Sequence, residues 1–306
     1  MLRQAVLAAS RSGGARKIME TAPFTHDVVR RFIAGETIED ATRVTAELAG
    51  EGLLVSLDVL GEDALARDGA EATVQRYVEL LERLGAAHLG ACAEVSVKLS
   101  VIGQTLDDSF ALDNARRICA AARSAGTTVT LDMEEPTAVD SALGIVYELR
   151  RDFPDVGAVV QAYLRRAEEC CAELSYEGSR VRLCKGAYAA PAEVAFTNKE
   201  DIDKSFVRCM KILMAGKGYP MLATHDPRLI DIADALAVLN ERDTHTFEYQ
   251  MFYGVRPQEQ RRLAGQGAQV RVYLAYGQEW YGYFMRRLAE KPSNLRLLMR
   301  SLVGGT

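Results

Sequence analysis

The chain has 306 residues, 37 basic and 42 acidic side chains, 48% hydrophobic and 26% charged residues, a balance that excludes collagen, coiled coil and disorder. A formal net charge of −5 leaves no basic footprint, so no nucleic-acid partner is expected. Cys92, Cys119, Cys170, Cys171, Cys184 and Cys209 contain no C-x-x-C and no histidine cluster beside them, which predicts a reducing compartment, no disulfide framework and no metal site.

Arg3 precedes a short apolar stretch, Ala5 to Ala9, too short for a signal peptide or a spanning helix. A cytoplasmic protein is expected, and hydropathy leaves open a peripheral position on the inner face of the plasma membrane. Segments 1–18, 26–34 and 38–49 read as helical and form an expected N-terminal arm, 1–51, ahead of a catalytic region, 52–306. After Gly52, short β-branched runs alternate with longer stretches of helical apolar spacing. The strand candidates are 53–58, 94–99, 127–132, 156–161, 180–184, 221–225, 246–251 and 269–273. Their ends recur about every 31 residues, one strand–helix unit, and eight such units close an α/β barrel, (βα)8. Asp226-Pro227 is a cap followed by proline at the first helical position, Pro257 opens the next helix, and Leu229, Ile232, Ala233 and Leu236 make one apolar stripe.

Barrel strands normally carry aliphatic side chains on both faces. Here one face is polar: Glu94, Ser96 and Lys98; Thr128, Thr130 and Asp132; Arg180, Arg182 and Cys184; Gln269, Arg271 and Tyr273. With the aliphatic face against the helices, the polar face lines the barrel, where charges must meet each other or a ligand. A polar or charged ligand at the mouth follows. The C-terminal strand ends, where this architecture places catalytic groups, read Asp58, Lys98, Asp132, Gln161, Arg182 with Lys185, Thr224 with His225, Gln250 and Tyr273. A lone strand-end Asp or Gln is more often a helix cap or loop hydrogen-bonder, and a lone Lys185 reads as solvated; together the eight polar ends indicate a site.

No G-x-G-x-x-G, P-loop or H-E-x-x-H motif occurs. Arg182-Leu183-Cys184-Lys185-Gly186-Ala187-Tyr188 carries two cations from a strand into a glycine turn, suited to phosphate. Thr224-His225-Asp226-Pro227 adds a hydroxyl, an imidazole and a helix start. Tyr283, Arg286, Arg287 and Glu290 share one helical face, either a solvent face with an Arg286–Glu290 pair or a fork for a carboxylate.

These stretches, with Leu57-Asp58-Val59-Leu60-Gly61-Glu62, Val97-Lys98-Leu99-Ser100, Leu131-Asp132-Met133-Glu134, Val160-Gln161-Ala162-Tyr163-Leu164 and Phe247-Glu248-Tyr249-Gln250-Met251, run in order over about residues 55–290. The sequence resembles the monofunctional bacterial proline dehydrogenase family. The resemblance implies a distorted (βα)8 TIM barrel whose last helix covers the mouth, FAD as cofactor, and oxidation of L-proline to pyrroline-5-carboxylate by hydride transfer to flavin N5. A membrane quinone would accept the electrons, and a separate pyrroline-5-carboxylate/glutamate-semialdehyde dehydrogenase would take the product. It also implies roles. Arg182 would approach flavin N5 and Met133 and Gln161 would touch the flavin. Lys185, Gly186 and Ala187 would meet its ribityl and phosphate region, and Thr224, His225 and Glu290 other parts of the cofactor. Arg286, Arg287 and Lys98 would hold the substrate carboxylate, with Asp132 beside them; Tyr188 and Tyr273 would wall the ring, and Glu62 would latch Arg286. Cys184 and Tyr276-Gly277-Gln278 depart from the family's usual residues.

The chemistry suits these residue types, since oxidation at proline Cδ needs a neutral nitrogen and a firmly held carboxylate. A cation near N5 favours the reduced, anionic flavin. Two other readings stand beside this one: a Schiff-base aldolase or lyase using Lys98, and a non-catalytic ligand-binding barrel.

Overall fold

The computed structural model describes residues 29–61, 63–186 and 188–290. Eight parallel strands close a barrel in sequence order: β1 (Leu54–Val59), β2 (Ala93–Lys98), β3 (Val129–Asp132), β4 (Gly157–Gln161), β5 (Arg180–Cys184), β6 (Tyr219–Ala223), β7 (Glu248–Phe252) and β8 (Val270–Tyr276). β8 pairs back onto β1, from Leu54 beside Arg271 to Val59 beside Tyr276. All eight sequence-predicted strands are present, displaced by at most three residues at their ends. The eighth differs most. It continues three residues beyond Tyr273, which therefore points from mid-strand into the barrel rather than ending it.

Helices occupy the intervals. α1 (Ile38–Gly50) precedes β1; α2 (Arg67–Ala86), α3 (Asp108–Ser124), α4 (Val139–Leu149), α5 (Ala167–Glu173), α6 (Lys199–Ala215), α7 (Pro227–Leu239) and α8 (Pro257–Gly265) follow the strands in turn, and α9 (Trp280–Glu290) closes the described chain. α7 begins as its sequence predicts: the Asp226 carboxylate accepts from Arg228 N–H, and Pro227 fills the first turn, where its missing donor costs nothing. α1 buries Ala41, Val44 and Leu48 in the same core as the barrel strands, so this part of the predicted arm belongs to the barrel's outer layer. The predicted helix 1–18 lies outside the described residues.

The aliphatic members of each strand meet the helices in one core. A second cluster sits at the C-terminal end of the barrel, where Trp280, Tyr281, Tyr283, Phe284 and Met285 of α9 pack on Phe32, Ile33, Leu60, Val255 and Ala275. This apolar seat fixes the last helix beside the mouth. Among the described residues no helix is long and apolar enough to cross a membrane, and no His, Cys, Asp and Glu group could hold a metal ion. All six cysteines are free thiols.

Candidate active site

The polar strand faces do line the barrel, and they neutralise one another in layers. Deepest is a floor of four charges. Arg271 (β8) grips Glu248 (β7) with two hydrogen bonds, 2.7 and 3.0 Å, and Arg180 (β5) donates to Glu94 (β2) at 2.6 Å. Burial by itself would raise the Glu94 carboxyl, but Arg271, Arg180 and Arg182 outweigh it and hold the group down at about 2.

Arg182 (β5) forms the next layer. Its Nε donates to Gln250 Oε1 (2.5 Å), Nη1 to Ser96 Oγ (2.7 Å) and Asp132 Oδ1 (2.6 Å), and Nη2 to Ser56 Oγ (3.1 Å) and Glu94 Oε1 (3.2 Å). Acceptors from four other strands thus fix a 4%-exposed guanidinium in one orientation. Burial opposes its charge, yet Asp132 and Glu94 lift its pKa above the ordinary arginine value. Asp132 is the hub above it. Oδ1 takes Ser96 Oγ (2.8 Å) with Arg182, and Oδ2 takes the Tyr273 hydroxyl at 2.9 Å.

Lys98 ends β2 at the mouth, and its ammonium meets Asp58 Oδ1 at 2.5 Å. Burial would strip its proton, but Asp58, Asp132 and Glu134 together raise its pKa above that of a free lysine. An amine held protonated is a carboxylate partner and a poor imine former, which tells against the Schiff-base reading.

On the β3–β5 side, the Gln161 amide donates to the backbone carbonyls of Met133 (3.1 Å) and Glu134 (2.8 Å). Its Oε1 lies toward Gly186, whose φ of +88° brings the loop so close that an added Cβ would run into Gln161 Oε1 and the Tyr163 ring. Lys185 ion-pairs with Asp203 at the start of α6 and lies 3.9 Å from Asp226. The Thr224 hydroxyl accepts from Asp226 N–H (3.1 Å), and His225 Nε2 accepts from Phe252 N–H (2.9 Å). Burial raises the Tyr188 hydroxyl pKa, with Glu134 and Asp132 adding to it and Arg286 opposing, so this ring stands among the mouth charges.

The expected α9 face divides. Tyr283 is buried and the Arg287 guanidinium lies 3.8 Å over the Phe252 ring, whereas Arg286 is exposed. Positions four apart stay on one side, but the adjacent residue is rotated about 100° away. Glu62 and Ala187 lie outside the described residues, as does the Glu290 side chain.

Asp132, Arg182, Tyr273 and Lys98 therefore meet at one end of the barrel, with Arg287 beside them across Phe252. The site also contains residues the sequence reading passed over. Ser56 joins Glu94 and Ser96, which the polar face of β2 already places in the barrel, in fixing Arg182. Asp203 lies on a helix with no motif, and Phe252 reads as an ordinary strand aromatic. The fold and this mouth define an α/β barrel whose C-terminal end gathers paired, largely buried charges around one guanidinium.

Comparison with known proteins narrows the class. The proline dehydrogenase family model matches residues 41–300. The chain is 35% identical over 274 residues to proline dehydrogenase 1 of Bacillus subtilis, covering 90% of each. It is 37% identical over 284 residues to the proline dehydrogenase of Deinococcus radiodurans, covering 91% of each. The chain belongs to the proline dehydrogenase family and is an oxidoreductase of proline catabolism. Its fold is that of proline utilization A from Bdellovibrio bacteriovorus, in a structure inactivated by N-propargylglycine. That match has a TM-score of 0.81 and 24% identity, covering 93% of this chain and 36% of the longer one.

Proposed function

We propose that the enzyme oxidises L-proline to pyrroline-5-carboxylate with FAD as cofactor, passes the electrons to a membrane quinone, and releases its product to a separate pyrroline-5-carboxylate/glutamate-semialdehyde dehydrogenase. The observation that carries this reading is the buried Arg182 guanidinium, fixed by four other strands beneath a mouth that bears Lys98 and Arg287. The residues fit a flavin nucleotide. Gly186 leaves its loop backbone bare of a side chain beside Gln161, and Lys185, Lys199 and Arg228 converge on Asp203 and Asp226, a cation cluster able to exchange carboxylates for phosphates. Bound there, FAD supplies the two-electron acceptor that no side chain can provide.

The chain's own residues bind and orient. Lys98, Arg286 and Arg287 hold the substrate carboxylate, while the rings of Tyr188 and Tyr273 confine the pyrrolidine. Oxidation needs the neutral nitrogen, so the amine gives up its proton while the carboxylate is held in place. Arg182, saturated with acceptors, keeps a fixed guanidinium at the base of the mouth, and Asp132 holds it and the Tyr273 hydroxyl in register. The test is the purified protein: absorption near about 450 nm and pyrroline-5-carboxylate formed from proline with a quinone are expected. A colourless protein that turns over a carbonyl substrate through Lys98 would overturn the reading.

A further inference from the structure

Phe252, the last residue of β7, sits where the two sides of the site meet. Its ring is stacked on the His225 imidazole at 5.4 Å and 24°, and stands edge-on to Tyr273 at 5.5 Å and Tyr283 at 6.4 Å. The Arg287 guanidinium carbon lies 3.8 Å from its centroid. The backbone beneath is pinned on both sides: Phe252 N–H donates to His225 Nε2 at 2.9 Å, and its carbonyl accepts from Gln260 Nε2 at 3.0 Å. His225 is held in turn, because its own carbonyl accepts from Arg256 at 2.6 Å, and Arg256 takes the left-handed φ of +55°.

We propose that Phe252 is a positioning residue for substrate recognition, an aromatic platform that holds the Arg287 guanidinium flat and directs its N–H edge at the substrate carboxylate. The inference rests on the reading of Arg287 as a carboxylate ligand. An aromatic face attracts a cation, and a planar guanidinium lying on it points its in-plane N–H edge away from the ring, the geometry of a two-pronged carboxylate contact. An arginine left to swing from the end of α9 would lose several rotamers on binding; one already resting on a ring fixed by His225 loses far less. The ring thus acts through Arg287.

The test is Phe252→Leu, which keeps apolar bulk at the strand end and removes the ring face, with Phe252→Tyr as the conservative variant and proline affinity measured by calorimetry beside steady-state kinetics. For Phe252→Leu the proline KM and dissociation constant should rise about three- to thirtyfold, the range of one cation–π contact, with kcat changed by less than about twofold. Phe252→Tyr should restore both, and affinity for pyrrolidine, which lacks the carboxylate, should stay at the wild-type value. In the double variant with Arg287→Met, the leucine should add nothing to the loss from Arg287→Met alone. Additive losses, or equal losses for proline and pyrrolidine, would overturn the inference while leaving the proposed function intact. A wild-type protein that binds no proline would overturn the proposed function first, and this inference with it.

Discussion

Glu94→Gln isolates the charge floor of the barrel. The substitution keeps the side chain's shape and one acceptor, but removes the negative charge that faces Arg180 at 2.6 Å, Arg182 at 3.2 Å and Arg271 at 3.8 Å. A carboxyl held at about 2 instead of its ordinary 4.5 stabilises the fold by about 3 kcal/mol above pH ~4.5, at about 1.4 kcal/mol per pH unit. Breaking a buried ion pair costs about 3–5 kcal/mol, in agreement. The folded-state pKa is depressed, so this stability is fully present above the unfolded value near 4.5 and is lost as the pH falls through the folded value near 2. Urea unfolding of both proteins should therefore show a gap of about 3 kcal/mol at pH ~7 that narrows as the buffer is taken from about 4.5 toward 2. At neutral pH the folded variant should keep its proline KM within about threefold, because Arg182 retains Asp132, Ser96, Ser56 and Gln250. Equal unfolding midpoints at neutral pH, or a gap indifferent to acid, would refute the charge-floor argument.

Arg287→Met should raise the proline KM about 30-fold to several thousandfold, the range for losing one partner of a buried charge pair, with flavin content retained; near wild-type KM would remove α9 from the substrate site. Lys98→Ala should weaken proline binding and leave a folded, flavin-loaded protein, and borohydride treatment of the wild type with substrate should give no adduct on Lys98, whereas a trapped adduct would favour the aldolase. Tyr273→Ser removes both the ring and the 2.9 Å bond to Asp132, so proline turnover should fall while discrimination against 4-hydroxyproline relaxes by about 1–3 kcal/mol; equal losses for both substrates would withdraw Tyr273 from the pocket. Gly186→Ala, at φ +88° and against Tyr163 and Gln161, should lower flavin retention on gel filtration well before it lowers the yield of folded protein, and a fully loaded variant would contradict the close approach assigned to that loop.

The barrel was legible because its signal is local and repeated. Thr127 to Asp132 alternates as a half-polar strand must, Asp226-Pro227 marks a helix start, and each recurs in its own unit. The polar strand faces also revealed that the interior is charged. They did not reveal who meets whom. Arg182 bonds Asp132 across 50 residues and Ser56 across 126, and strand spacing does not say which layer of a closed barrel a side chain reaches. Lys98 appeared as a lone strand-end cation until the fold put Asp58 beside it. The sequence ends the eighth strand at Tyr273, but pairing with β1 extends it through Leu274, Ala275 and Tyr276. Phe252 gave no signal, since an aromatic at a strand end reads as core until its neighbours are known.

On the proposed function, L-proline bound at the charged mouth gives its electrons to a flavin bound in the barrel. Anaerobic titration of the purified protein with proline, followed at the flavin band near about 450 nm, tests it most directly. The band should bleach saturably with proline, a quinone should restore it, and Arg287→Met should need far more proline to reach the same end point. A flavin band left unchanged by saturating proline, or a barrel that binds proline and holds no flavin, would contradict it.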